Sequence, residues 1–170
     1  MKLATKLSFA AMITMVMLPA GSWATTEDVV VLGTGERVLE ARAGADELRL
    51  LTPPKKQWLI RGLAKGDRIT VSYEQDGEKK ILSEVRGSGT VTGAVVNVEK
   101  VFITVEAEDG ARHRLMPCWT GGMPKDGGGH DKSVLKRIRS VEKGQRVRLT
   151  WVIEEGKRVT DVTPLSKDRD

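Results

Sequence analysis

Hydrophobic positions in this chain alternate over short stretches instead of recurring at helical spacing. From Val29 onward, Val, Ile, Leu and Thr come in brief runs divided by Gly, Asp and Pro, the pattern of strands and turns. In the second half, Gly93 to Val98, Val101 to Val105 and Arg112 to Met116 are predicted strands, joined by turns at Glu99-Lys100 and Asp109-Gly110. The Asp-Gly pair suits a tight hairpin because both residues tolerate positive backbone angles. Residues 119–130, WTGGMPKDGGGH, are too rich in glycine for regular structure and read as a long loop. After them, Asp131 is placed to cap a helix whose apolar stripe is Val134, Leu135, Ile138 and Val141, with Lys143-Gly144 as its end. Val147, Leu149 and Trp151 then alternate with Arg146, Arg148 and Thr150, and Glu154-Glu155-Gly156 turns the chain back into Arg158 to Thr163.

Three strands, a helix and two strands make up the order of an OB-type barrel. The first half follows the plan in a shorter form. Glu36 to Ala41, Leu48 to Leu51 and Gln57 to Leu63 are its expected first three strands, and Ile69 to Tyr73 and Lys80 to Val85 its last hairpin, through Asp76-Gly77. Gly62 to Gly66 leaves room for a turn only, so this half is expected to lack a helix and to look closer to an SH3-like barrel. The two halves share a signature: KGDRITVSY at 65–73 returns as KGQRVRLTW at 143–151, with the closing aromatics in register. The predicted fold is therefore all-β, with two tandem small five-stranded OB/SH3-like barrels, the second carrying a helix between its strands 3 and 4. The predicted division is 25–87 and 88–170, with Gly87-Ser88-Gly89 as hinge. A barrel of about sixty residues is marginal alone, and packing two together hides more apolar surface per residue.

The N-terminal residues change the picture of where such a protein works. Lys2 and Lys6 precede an apolar run from Leu7 to Leu18, too short for a stable span, and Ser22-Trp23-Ala24 sets small residues at the −3 and −1 positions of a cleavage site. Residues 1–24 are expected to be a signal peptide, with the mature chain starting at Thr25, periplasmic or secreted, and no retained transmembrane segment. Its loss removes two lysines and no acids, leaving 26 basic against 23 acidic residues, a net charge of +3. Basic and acidic residues are interleaved, so long-range attraction to a polyanion is weak. A lone Cys118 cannot form an internal disulfide, and folding must rest on burial.

The stretches GTVTGAVVNVEKVFITVEAEDGARHRL and KGQRVRLTWVIEEGKRVTDV resemble the small OB-like domains, mostly of unknown function, found singly or in tandem in exported bacterial proteins. The resemblance covers about half the chain well and the first half loosely. It implies a fold and an envelope location, and it carries over no catalytic residue. The loop and helix at 119–140 depart from the commonest short form.

Every His, Cys and Met of the mature chain lies between His113 and His130: His113, Met116, Cys118, Met123 and His130. These are side chains that soft and borderline metals prefer, copper among them, and Met116, Cys118, Met123 and His130 are the candidate ligands. In a regular strand His113, Leu115 and Pro117 face one way and Arg114, Met116 and Cys118 the other, so His113 and Cys118 do not converge. The alternative is that Met116 and Cys118 are core residues and both histidines lie on the surface. Asp126 and Asp131 lack the alternating oxygen ligands of a calcium loop, and Gly33-Thr34-Gly35 lacks the third glycine and the helix of a dinucleotide site. No Ser, His and Asp set or nucleophile elbow is present, so no enzyme is indicated. OB-type barrels commonly bind through aromatic platforms. Phe102 is the only aromatic on the corresponding strands here, and Trp119, opening the glycine-rich loop, is the best exposed platform. Export argues against nucleic acid. The expected function is non-enzymatic binding in the envelope, to a protein, peptide or glycan, through residues 117–131, with Trp119, Lys125 and His130 as contacts and no cofactor; the alternative is soft-metal binding.

Overall fold

The computed structural model describes residues 24–123 and 129–165. Lys125 and residues 1–23 lie outside them, so the expected signal peptide and one expected contact fall outside the described residues. The chain forms two closed five-stranded barrels in succession. The first contains β1 (Ala24–Thr34), β2 (Val38–Ala43), β3 (Asp46–Leu51), β4 (Arg68–Asp76) and β5 (Lys79–Arg86), with a 3₁₀ segment, Pro54–Ile60, between β3 and β4. The second contains β6 (Ser88–Val98), β7 (Ile103–Ala107), β8 (Arg112–Pro117), the helix α1 (Lys132–Ser140), β9 (Arg146–Ile153) and β10 (Lys157–Pro164). Gly87 alone separates the two.

Both rings close in the same way. The first strand pairs with the second and the fourth, and a parallel pair joins the third to the fifth: Leu50 beside Lys80 in one copy, Met116 beside Arg158 in the other. This is OB topology twice over, and the repeated signature falls on equivalent strands. Ile69, Val71 and Tyr73 of β4 and Val147, Leu149 and Trp151 of β9 are all buried in their barrels. Alternation of inward and outward residues builds each core from Val, Leu and Ile. A glycine is required where β6 passes closest to β7: a Cβ on Gly93 would collide with the backbone of Glu106.

Two expectations for the first half need correction. Val29 to Val31 belong to an eleven-residue opening strand, and Gln57 to Leu63 are not a strand. Pro53 and Pro54 bias the chain toward a helical start, and Leu59 and Ile60 turn inward to close the barrel where α1 closes the second. The first copy thus keeps its plug in 3₁₀ form. In the second copy α1 stops at Ser140, earlier than Lys143-Gly144, because Val141 turns extended and buries its side chain. The cap is as expected: Asp131 Oδ1 accepts from the backbone N–H groups of Ser133 at 2.8 Å and Val134 at 3.1 Å.

Candidate functional site

The described part of the glycine-rich segment is a loop whose two ends form a hydrogen-bonded stem. Beyond Pro117 the chain pairs with its own return: Thr120 N donates to Gly129 O at 2.7 Å, Gly129 N to Gly121 O at 3.0 Å, and Asp131 N to Cys118 O at 3.0 Å. Trp119 and His130 face each other across this stem as a β-bridge. Their rings meet edge to face at 5.2 Å, and His130 Nδ1 is 3.1 Å from the Pro117 carbonyl oxygen, which fixes the imidazole. A glycine at 129, with φ of 120°, lets the backbone pass beneath the Trp119 ring. Trp119 is nevertheless 45% exposed and Met123 60% exposed. Two large apolar side chains are thus open to water at and beyond this stem.

Of the proposed metal ligands, His130 packs against Trp119. Met116 and Cys118 are half-buried on the outward face of β8 and just past its end, so neither is a core residue. Burial, with Glu154 close by, pushes the Cys118 thiol up to about 11. No group of three or more His, Cys, Asp and Glu side chains is arranged for a metal among the described residues. Phe102, on the customary binding face, is covered by the Arg114 guanidinium 3.6 Å from its ring centroid, and Arg114 is in turn tied to Glu99 at 2.8 Å.

His113 is where surface placement fails. It is buried, and it sits with two partners that sequence reasoning did not single out, Asp67 and Lys157. Lys157 opens β10 with a side chain wholly sealed from solvent, and its Nζ donates to Asp67 Oδ1 and Oδ2 at 2.6 and 2.7 Å and to His113 Nδ1 at 3.0 Å. The ammonium also lies 4.3 Å above the Trp151 ring. Asp67 comes from the other barrel, on the loop before β4, where its Oδ2 also accepts from Ala64 N at 2.8 Å. Around this cluster the barrels interlock. Lys157 N donates to Arg61 O at 2.9 Å, and a Cβ on Gly62 would press on Lys157 at 3.3 Å. Lysine has only donors, so His113 Nδ1 must accept, which makes the imidazole neutral with its proton on Nε2. Burial and the Lys157 charge accordingly hold the His113 pKa below its ordinary value, and burial lowers that of Lys157 against the pull of Asp67. The sequence signal for this cluster is faint: Asp67 lies inside the repeated Lys-Gly motif where the second copy has Gln145.

No family model matches this sequence, and no curated protein does.

Proposed function

We propose that this is an exported, envelope-associated protein that acts by non-covalent contact, with the loop at 117–131 as its working surface. One observation carries the reading: Trp119 stands exposed on a stem that fixes its orientation. An aromatic pre-organised in this way loses little conformational entropy on binding. Asp67 and Lys157 are paired with each other across the barrel seam, which supports a structural role for that pair. Export rests on the leader-like residues 1–24 and on the resemblance to exported OB-like domains.

The test is a photo-reactive amino acid placed at Met123 in cells. The expected result is a discrete adduct with one envelope protein, peptidoglycan fragment or glycan, lost when Trp119 is replaced by Ala, and absent when the probe stands at Glu47 on the first barrel. The same adducts from both positions would refute the assignment of the surface. An N-terminus other than Thr25 on the protein recovered from the periplasm would refute the processing step.

A further inference from the structure

A second surface, independent of the loop at 117–131, lies where the barrels meet. A groove of about 770 Å³ runs over the outer faces of β6 and β9, bounded on one side by the loop carrying Lys65 and Asp67 and on the other by the β7–β8 turn. Its size falls in the range of small-ligand sites and exceeds what a bare ion needs. His113 lines it. With Nδ1 held by Lys157, the proton-bearing Nε2 is the nitrogen left over, and it has no partner among the described residues. Thr52 Oγ1 is the only side-chain polar atom among them that is both sealed from solvent and unpaired. His113 Nε2 is therefore reached from outside although its residue is 5% exposed, and the groove is the opening it lines. An N–H donor so deeply set, with its tautomer fixed from behind, requires an acceptor.

The surrounding charges define that acceptor. Arg148 and Lys65 line the groove, are exposed, and have no ion pair or hydrogen bond among the described residues. Arg146 is paired with Glu108, and Asp109 Oδ1 accepts from Ala111 N at 3.0 Å. Asp67 and Lys157 neutralise each other beneath the floor. With Asp67 offset by Lys157, the lining carries three cations, Lys65, Arg146 and Arg148, against two carboxylates, Glu108 and Asp109, and its unpaired cations among the described residues are Arg148 and Lys65.

We propose that this groove binds a sugar-sized polar ligand carrying an oxyanion, whose carboxylate or phosphate oxygens accept from His113 Nε2–H, Arg148 and Lys65, while Thr90 and Thr92 meet its hydroxyls.

The test is titration of the purified protein with D-glucuronate, glucose 6-phosphate and neutral glucose, followed by the imidazole ¹⁵N signals of His113 and by calorimetry. One or both anions are expected to bind saturably and shift the Nε2–H signal, with glucose inert. A response to glucuronate alone assigns the carboxylate source, and a response to the phosphate alone assigns the other. Arg148→Ala is expected to weaken binding at least about fivefold, the loss of one charge-assisted hydrogen bond. Lys65→Ala, on the facing wall, is a second variant should the first fail to fold. Absence of saturation by either anion below about 10 mM would overturn the proposal, as would affinity unchanged in both variants.

Discussion

Replacing Asp67 by Asn keeps the shape of the loop and removes the carboxylate that pairs with the Lys157 ammonium, the only one to do so among the described residues. Lys157 is fully sealed, so water cannot take the place of the lost charge. Removing one partner of a buried ion pair typically costs 3–5 kcal/mol because the survivor is left charged in a poor medium. Two contacts soften the loss here: Lys157 keeps His113 Nδ1 at 3.0 Å and the face of Trp151. The expected destabilisation is therefore at the lower end, about 3 kcal/mol, or about 9 °C in Tm for a chain of this size. Urea unfolding followed by tryptophan emission measures it, and Trp151, beneath the ammonium, reports locally. If the penalty is the orphaned charge, adding Lys157→Met to Asp67→Asn restores most of the loss. A single-variant loss below about 1 kcal/mol, or a double variant no better than the single, would refute the account.

Stability should depend on His113 below neutrality. Its folded pKa lies below the ordinary 6.5, so on acidification the unfolded chain takes up the proton first. The contribution is complete above pH 6.5 and is lost as pH falls through the folded value. Urea midpoints at pH 7.5 and 5 should diverge more in the wild type than in His113→Gln, and equal divergence would contradict the neutral, Lys157-bonded imidazole. Cys118, with its thiol near 11, should alkylate at pH 8 about 10²-fold more slowly than a free thiol, and a comparable iodoacetamide rate would show that it ionises normally. Gly93→Ala should cost more than about 3 kcal/mol by forcing β6 from β7, read as a fall in the urea midpoint. Trp119→Ala should cost no more than about 1 kcal/mol of unfolding free energy by urea titration, the worth of its edge-to-face contact with His130.

The repeat was readable because both copies obey one rule, alternation of Ile69, Val71 and Tyr73 and of Val147, Leu149 and Trp151 about a closed sheet. The second barrel's helix was equally plain, with Asp131 as cap and a stripe through Val134 and Ile138. The first copy's opening strand escaped because its first five residues, Ala24 to Asp28, are small or polar and no turn signal precedes Val29, Val30 and Val31. Its plug escaped because a 3₁₀ turn has neither the length nor the 3.6-residue spacing that marks an α-helix. The glycine-rich segment was read as a loop, and its described part holds no strand; what composition did not reveal is the hydrogen-bonded stem through the Trp119–His130 bridge. Trp119 and His130 were singled out, but their stacking follows from cross-strand register. The Asp67, His113 and Lys157 cluster was illegible for a deeper reason: its members lie as much as 90 residues apart, and charged residues on turns and strand ends read as solvated. Only docking of one barrel on the other buries them.

Tyr73 and Trp151 each have a lysine of the following strand over the ring, Lys80 at 5.1 Å and Lys157 at 4.3 Å. In the first copy that lysine remains partly open to water, and in the second the neighbouring barrel shuts it in. Duplication thus supplied the same ornament twice, and dimer-like docking within one polypeptide converted one of them into a keystone. Each half now depends on the other for charge balance. Separating the halves would return Lys157 to water and break its pair with Asp67 in the same step, so the ion pair exists only where the two barrels are docked.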